Sequence, residues 1–505
     1  MSPINSNLEG TFTLESGGNQ SDEAAPFHIL CLGNWSGNNE NEVELGKRRP
    51  MMIDRDNFDD VMRKVRPRLN LEFDGENSLN LTFTELDDFH PDNIFRQIPF
   101  FENLRDIRKK LKNHETFEDA AREVRSWFTT NEPEVRKSAG EDVEEIEADN
   151  LLDAILSGKS ADASAVRRQA SSSNELSQFI NEIVSPHLIR TNLAEQANLL
   201  LAVDEVISDL MRKVLHHKGF LALEAAWRGL YFLVRRSDTD TDLKVYLLDI
   251  SKDELVDNLK SVSNLTDSVY CAWTAGEALE TSLGERWAVV CGNYGFGPNV
   301  EDIATLMRIS QIAAASKTPF ISHMRPEVLG VSSLAQHPSS KDWNISDESK
   351  EWKLWNTLSA SKESEYLGLA MPRFLARLPY GRETDPTEVF SFEEVSDSFN
   401  HNTYVWSNPA FACGYLLAKS FRKYGWEMAE NIAREIDGLP MHVYTEDGET
   451  KTKPCAEIPM TDAGVQKMID AGIMPLVSFR DTDRMRVASF QSIALSEERI
   501  QGRWH

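Results

Sequence analysis

The stretch Cys291–Gly297, CGNYGFG, comes closest in this sequence to a catalytic motif. A glycine-rich turn between a strand and a helix can present backbone N–H groups and a helix N-terminus to a phosphate. Here the glycines fall at 292, 295 and 297, so the GxGxxG order is missing, and no Lys-Ser/Thr pair follows to complete a P-loop. Glu301 and Asp302 at the start of the next helix would oppose an anion and suit the helix dipole. A tight structural turn is the expected role. His216 and His217 are adjacent, so on a helix they point about 100° apart and cannot share one metal. Their place at a helix C-terminus suits capping. His323 follows a strand with no nucleophile or carboxylate close in sequence, which predicts a local structural role. HExxH, GxSxG and CxxC are absent. The acid pairs Asp87–Asp88 and Glu393–Glu394 sit beside turns and read as solvated faces. An α/β phosphate- or nucleotide-binding enzyme stands as an alternative that these missing motifs oppose. No catalytic residue, cofactor or metal ligand is assigned.

A chain of 505 residues exceeds one compact core and predicts roughly two to four domains. With 41% hydrophobic residues it is globular. Against 54 Lys+Arg stand 81 Asp+Glu, a formal charge of −27. That balance disfavours nucleic acid, whose affinity rests on clustered cations, and an anionic membrane surface. It fits a soluble, self-repelling protein or one that meets a basic partner. The five cysteines are scattered and odd in number, which argues against a disulfide framework or a zinc site. The first residues show no secretory signal, and no apolar run reaches membrane-spanning length. A reducing cytoplasm is the expected location.

Residues 1–25 are rich in Ser, Asn, Gly and Glu and read as a flexible arm. PFHILCLGNWSG reads as a buried strand from Phe27. Arg55 to Leu69 reads as a short helix with Phe58, Val61, Met62 and Val65 on one face, ending near Pro67. Leu79, Leu81 and Phe83 alternate as in a half-buried strand, and helical patterns follow over Ile94–Leu111 and Thr116–Phe128. Residues 131–150 hold eight acids and two bases, with a reach of roughly 70 Å when extended. The apolar island Leu151–Gly158 follows, between polar stretches. Such a segment either docks in a partner's groove or packs on its own domain. A core-facing helical stripe then runs from Leu199 to Leu215. FLALEAAWRGLYFLVRR is a second helix; Trp227 with Arg228 could form a partner-binding surface, but Trp227 shares the apolar stripe, which favours a core position. LKVYLLDI is a buried strand, Ser251 and Glu254 form a capping-box pair, and RWAVVCGNYGFG is a strand running into a glycine-rich loop. Helices at Glu301–Ser316, around Trp352, Trp355 and Leu358, and over NPAFACGYLLAKSF alternate with the strand TPFISH. A closing hairpin turns across Arg480–Arg484. The alternation predicts an α/β or layered α+β core.

LEAAWRGLYFLV, LLDISKDEL, YGFGPNVEDIATLMRISQIAAASKTPFISHMRPEVLG, MPRFLARLPYG and YVWSNPAFACGYLLAKSF, in this order, resemble the large sheath subunit (TssC/VipB-like) of bacterial type VI secretion systems. AGIMPLVSFRDTDRMRVASFQSI resembles that family's closing hairpin, and the likeness covers roughly 150–505. PFHILCLGNWSG, RRPMMIDRDNFDDVMRKVRPRLNL and LTFTELDDFHPDNIFRQIPFFENLRDIRKKL resemble the small sheath subunit (TssB/VipA-like) over roughly 25–130. Those subunits are usually separate chains, and here they are fused.

The resemblance implies an α+β (mixed α/β) contractile-sheath fold: an arm at 1–25, a small-subunit-like domain at 26–130, an acidic linker with a short amphipathic helix at 131–175, and a large-subunit-like domain at 176–505. It implies a non-enzymatic protomer that self-assembles into a helical sheath around inner-tube hexamers on a baseplate. In that family, terminal strands cross between protomers and add to their sheets. The large subunit also presents a short helix to a ClpV-type AAA+ unfoldase, and LLDAIL is similar to it, with Leu151, Leu152, Ile155 and Leu156 as groove residues. The alternative of the same fold is a non-polymerising sheath-like adaptor, cap or baseplate-associated component.

Overall fold

The computed structural model describes residues 25–37, 43–73, 77–113, 115–129, 195–275, 286–344, 349–395, 400–446, 448–495 and 499–505. Along the chain the strands and helices are β1 (Phe27–Gly33), β2 (Met51–Ile53), α1 (Phe58–Val65), β3 (Arg68–Phe73), β4 (Asn77–Thr82), α2 (Pro91–Gln97), α3 (Phe100–Lys112), α4 (Phe117–Thr129), α5 (Glu195–Leu215), α6 (Lys218–Arg236), β5 (Leu243–Asp249), α7 (Lys252–Ser261), α8 (Val269–Thr274), β6 (Trp287–Phe296), α9 (Val300–Ser316), β7 (Phe320–Met324), α10 (Lys350–Ser359), β8 (Leu367–Met371), β9 (Phe374–Leu375), β10 (Trp406–Ser407), α11 (Pro409–Tyr424), β11 (Glu435–Ile436), β12 (His442–Glu446), β13 (Glu449–Lys453), α12 (Asp462–Asp470), β14 (Ile473–Ser478) and β15 (Met485–Val487). This is the mixed α/β class that the alternation of patterns predicts.

Two compact units divide the chain, and each is interleaved in sequence. The first takes in Met1–Val65, Ala222–Leu378 and Val405–His505, and the second Arg66–Leu221 and Pro379–Tyr404. Their limits differ from the sequence segments 26–130 and 176–505, because strands distant in the chain pair with one another.

The first unit is built on a nine-stranded sheet of order β11-β15-β14-β8-β7-β6-β1-β5-β2. Strands β14, β8, β7, β6, β1 and β5 run parallel, and antiparallel strands finish both sides. A parallel strand inside such a sheet is covered on both faces and reads as a continuous apolar run. That is why every residue of FHILCLG is buried. On one face Leu30, Leu32, Leu248, Val290 and Leu369 meet Leu255 of α7, Trp273 of α8, Ile303 and Leu306 of α9, and Leu358 of α10. On the other, α11 lies across β1, β6, β7 and β8. Gly414 of α11 comes so close that a Cβ there would sit 2.9 Å from the Cys291 Sγ.

The second unit joins the β3–β4 hairpin to α2, α3, α4, α5 and the segment 379–404. Leu69, Leu71, Leu79 and Leu81 fill one face of the hairpin, and Phe83 stacks on Phe89 at 4.2 Å. Phe95 packs against Phe101 and Phe390. Arg108 of α3 pairs with Asp204 of α5 at 2.5 Å.

Three local expectations change. Helix α1 stops at Val65, because Arg66 takes a left-handed backbone (φ 53°) and Pro67 follows, so Arg68–Phe73 becomes a strand instead of the helix's end. Ile94–Leu111 divides into α2 and α3 at Ile98 and Pro99, since proline lacks the N–H that a continuing helix needs. Strand β6 continues through CGNYGF to Phe296, so most of the supposed glycine loop is sheet.

Candidate functional site

The groove residues Leu151, Leu152, Ile155 and Leu156 lie outside the described residues, as does the acidic stretch 131–150. The glycine-rich stretch is fully placed. Gly292 leaves room for the Phe320 ring, whose Cζ would be 2.5 Å from an added Cβ. After β6 the chain turns through Gly297, Pro298 and Asn299 into α9. Asn299 caps α9 by accepting from the Asp302 N–H at 2.9 Å. Asp302 itself accepts from the Gly297 N–H (2.7 Å), Asn299 Nδ2 (2.8 Å) and Arg325 (3.1 Å), and pairs with Lys252 at 2.5 Å. The protein's own carboxylate therefore stands where a bound anion would collect these donors. The turn is a structural lock.

The other candidates have local partners too. His217 Nδ1 accepts from the Gly219 N–H at 3.1 Å, and His216 Nε2 lies 3.8 Å from Glu394 Oε1, so the two rings serve different neighbours. His323 is buried in β7, and burial together with the Arg373 and Arg325 charges lowers its pKa to about 3. Asp88 accepts from the Thr84 and Glu85 N–H groups, and the buried Glu394 accepts from the Tyr380 N–H at 2.7 Å. That burial departs from the solvated face expected of Glu393–Glu394. Trp227 is wholly buried and donates from Nε1 to the Trp35 carbonyl, placing it in the core as expected. Glu224 lies between Arg377 (2.6 Å) and Arg228 (2.7 Å). Burial works to raise its carboxyl pKa, and the two guanidiniums outweigh it, leaving it below the usual range. Among the described residues no three His, Cys, Asp or Glu side chains are placed to hold a metal.

The geometry concentrates instead where β1 joins the sheet. Seven residues of β1 pair in register with β5, Phe27 with Leu243 through Gly33 with Asp249, and β6 lies on its other side. Beyond β1 the Trp35 and Ser36 N–H groups donate to Asp249 Oδ1 at 2.7 and 3.1 Å, and Trp35 Nε1 donates to the Leu248 carbonyl. Arg48 donates to the Asp249 carbonyl and to both oxygens of Glu254. Glu254 also completes the capping box with Ser251. Burial works to raise the Glu254 pKa, but hydrogen bonds from Arg48 and Ser251 and the Arg48 charge bring it below normal. The capping box was legible from its spacing, whereas nothing in the sequence marks Arg48 as its third member.

Among the described residues, the β12–β13 ribbon forms a two-stranded sheet of its own, pairing His442 with Lys453 through Glu446 with Glu449. Val443 and Thr445 of β12 and Thr450 and Thr452 of β13 share one face, and Val443 is 49% exposed. On the other face His442 stacks on Tyr444, and Lys453 lies over Trp406 at 5.5 Å. The outer strands of the nine-stranded sheet are short: β2 has three residues and β11 two.

The family model VipB, described as EvpB/VC_A0108, tail sheath N-terminal domain, matches residues 197–494. A second model, for type VI secretion system VipA (VC_A0107 or Hcp2), matches residues 7–129. The type VI secretion system sheath protein TssC1 of Pseudomonas aeruginosa PAO1 is 35% identical over 302 residues, 59% of this chain and 61% of that protein. The sheath protein TssB1 of the same organism is 30% identical over 101 residues, 19% of this chain and 59% of that protein. The chain thus spans about three fifths of the length of each relative.

Proposed function

The chain belongs to the VipB tail-sheath family, with a VipA-type segment ahead of its sheath domain, and on that premise we propose that it is a structural, non-enzymatic protomer of a type VI secretion contractile sheath. The observation that carries this reading is the position of β1: a strand from the VipA-type segment lies between β6 and β5, both from the VipB-type segment, so one chain supplies strands of both types to a single sheet. Such protomers assemble in the cytoplasm as a helical tube around inner-tube hexamers on a baseplate. Repacking of the units shortens the tube and drives its contents outward. Among the described residues no helix is long and apolar enough to cross a membrane.

Strand exchange links the copies. Leu151, Leu152, Ile155 and Leu156 form the helix that a ClpV-type AAA+ unfoldase takes up when it recycles the sheath. The test is electron microscopy of pelleted lysate from cells expressing the full chain, with and without inner-tube protein. Tubes are expected; their absence under both conditions removes the polymer reading in favour of a sheath-like adaptor, cap or baseplate component.

A further inference from the structure

We propose that the cavity between α10 and the end of α12 receives a lysine side chain from α3 of a second copy of this chain. The cavity holds about 280 Å³. Trp352, Trp355 and Ser359, spaced along one face of α10, line one side; Asp470, the last residue of α12, lines the other, and Leu495, 63% exposed, stands at its edge.

The lining chemistry selects a cation. The two indoles lie nearly parallel, 12° apart with centroids at 6.1 Å, and aromatic faces attract ammonium groups. Asp470 adds a carboxylate, and the C-terminal end of α12 adds the negative pole of a helix dipole. Asp470 accepts from Gln466 Nε2 at 2.7 Å and pairs with no cation among the described residues. Among the described residues no lysine or arginine lines the cavity, and the Ser359 Oγ, buried in its wall, has no hydrogen-bond partner.

Charge identifies the occupant. A chain of net charge −27 repels its own copies unless some junctions set cations against anions. The last turn of α3 carries Lys109, Lys110 and Lys112, all exposed and none paired with a carboxylate among the described residues. The arginines of the same helix are engaged, Arg105 with Glu102 and Arg108 with Asp204. Lysine also suits the space, since its flexible apolar stem can pass Leu495 and place a compact ammonium beyond it.

The inference rests on the self-assembly reading, and the experiment separates the two. Copies of the full chain carrying Lys110→Cys are mixed with copies carrying Leu495→Cys and treated with a short bismaleimide; the five native cysteines are buried. An inter-copy cross-link is expected. Asp470→Lys on one copy, or Lys109→Glu with Lys112→Glu on the other, is expected to lower its yield by about tenfold, and combining the reversed copies to restore it. All these positions are on the surface, and unchanged circular dichroism melts check the fold. Tubes without the cross-link overturn this inference and leave the sheath reading standing. A cross-link without tubes does the reverse, and neither product sinks both. A cross-link indifferent to the charge reversals also overturns the lysine–cavity pairing.

Discussion

Arg48 grips Glu254 with both terminal nitrogens of its guanidinium, at 3.0 and 2.5 Å, across 206 positions of sequence. The pair ties the VipA-type segment to the N-terminus of α7, and the Arg48 side chain is only 7% exposed. Removing one partner strands the other's charge in a half-buried place. Arg48→Ala is expected to lower unfolding stability by about 2–4 kcal/mol. Ser251→Ala, which removes only the cap, is expected to lower it by about 1 kcal/mol. Urea denaturation followed by circular dichroism measures both. Equal effects would show that Arg48 adds nothing beyond the capping box.

Gly292 separates packing from chemistry in the CGNYGFG stretch. An added methyl would meet the Phe320 ring at 2.5 Å, so Gly292→Ala overpacks the sheet and is expected to destabilise by about 1–3 kcal/mol. Thermal melts in the presence of ATP and magnesium should superimpose on those without, for wild type and variant alike. A nucleotide-dependent rise in the wild-type melting temperature that Gly292→Ala abolishes would restore the enzyme reading.

His28, on β1, is wholly buried, and its pKa is lowered to about 4 by burial, with the Lys244 and Arg503 charges adding to the effect. His323 is lowered in the same direction, to about 3. A histidine whose folded pKa lies below its unfolded one favours the neutral form in the fold. Its contribution is therefore complete above about pH 6.5 and lost as pH falls toward 4. The depressed carboxylate of Glu224 acts in the same sense at lower pH. Stability should be flat from pH 8 to 7 and decline steadily below 6.5. His28→Phe should flatten the upper part of that decline, by up to about 3 kcal/mol at pH 4. Urea midpoints across the range decide it, and an unchanged slope in the variant would remove His28 as the cause.

Most single elements could be read from the sequence, because their signals are local: the apolar run of β1, the Ser251–Glu254 box, the stripe of α5. Strand β3 was lost to the helix before it, since the break depends on the left-handed backbone at Arg66, a position where glycine was not required. Partnership was the least legible property. That FHILCLG lies between β5 and β6, more than 200 residues further on, is decided by tertiary pairing and not by its own residues. The same holds for Arg48, whose partner Glu254 is 206 positions away, and for the Lys252–Asp302 pair, which joins α7 to α9.

On the proposal that Leu151, Leu152, Ile155 and Leu156 dock to an unfoldase, Leu152→Glu replaces one of these apolar side chains with a carboxylate. It is expected to weaken binding of a ClpV-type unfoldase at least tenfold while leaving the melting temperature unchanged, because a buried carboxylate in a groove costs several kcal/mol. Binding measured by fluorescence anisotropy on the full chain tests this. Equal affinity for both proteins would exclude the segment as the docking site.

The link between the two sheath segments should be dispensable once the protein has folded. Strand β1 is buried on both faces between β5 and β6, and withdrawing it would separate those two strands. In the other unit, Arg108 of α3 holds Asp204 of α5 through two hydrogen bonds, at 2.5 and 3.1 Å. The pieces on either side of residues 131–150 are thus knit twice without that stretch. A protease site placed at Gly140 and cleaved after purification should yield two fragments that migrate separately in denaturing gels. In native size-exclusion chromatography they should elute together at the volume of the intact chain, and their urea midpoint should fall only modestly. Separation under native conditions would show that the covalent link, and not the shared sheet, holds the halves together.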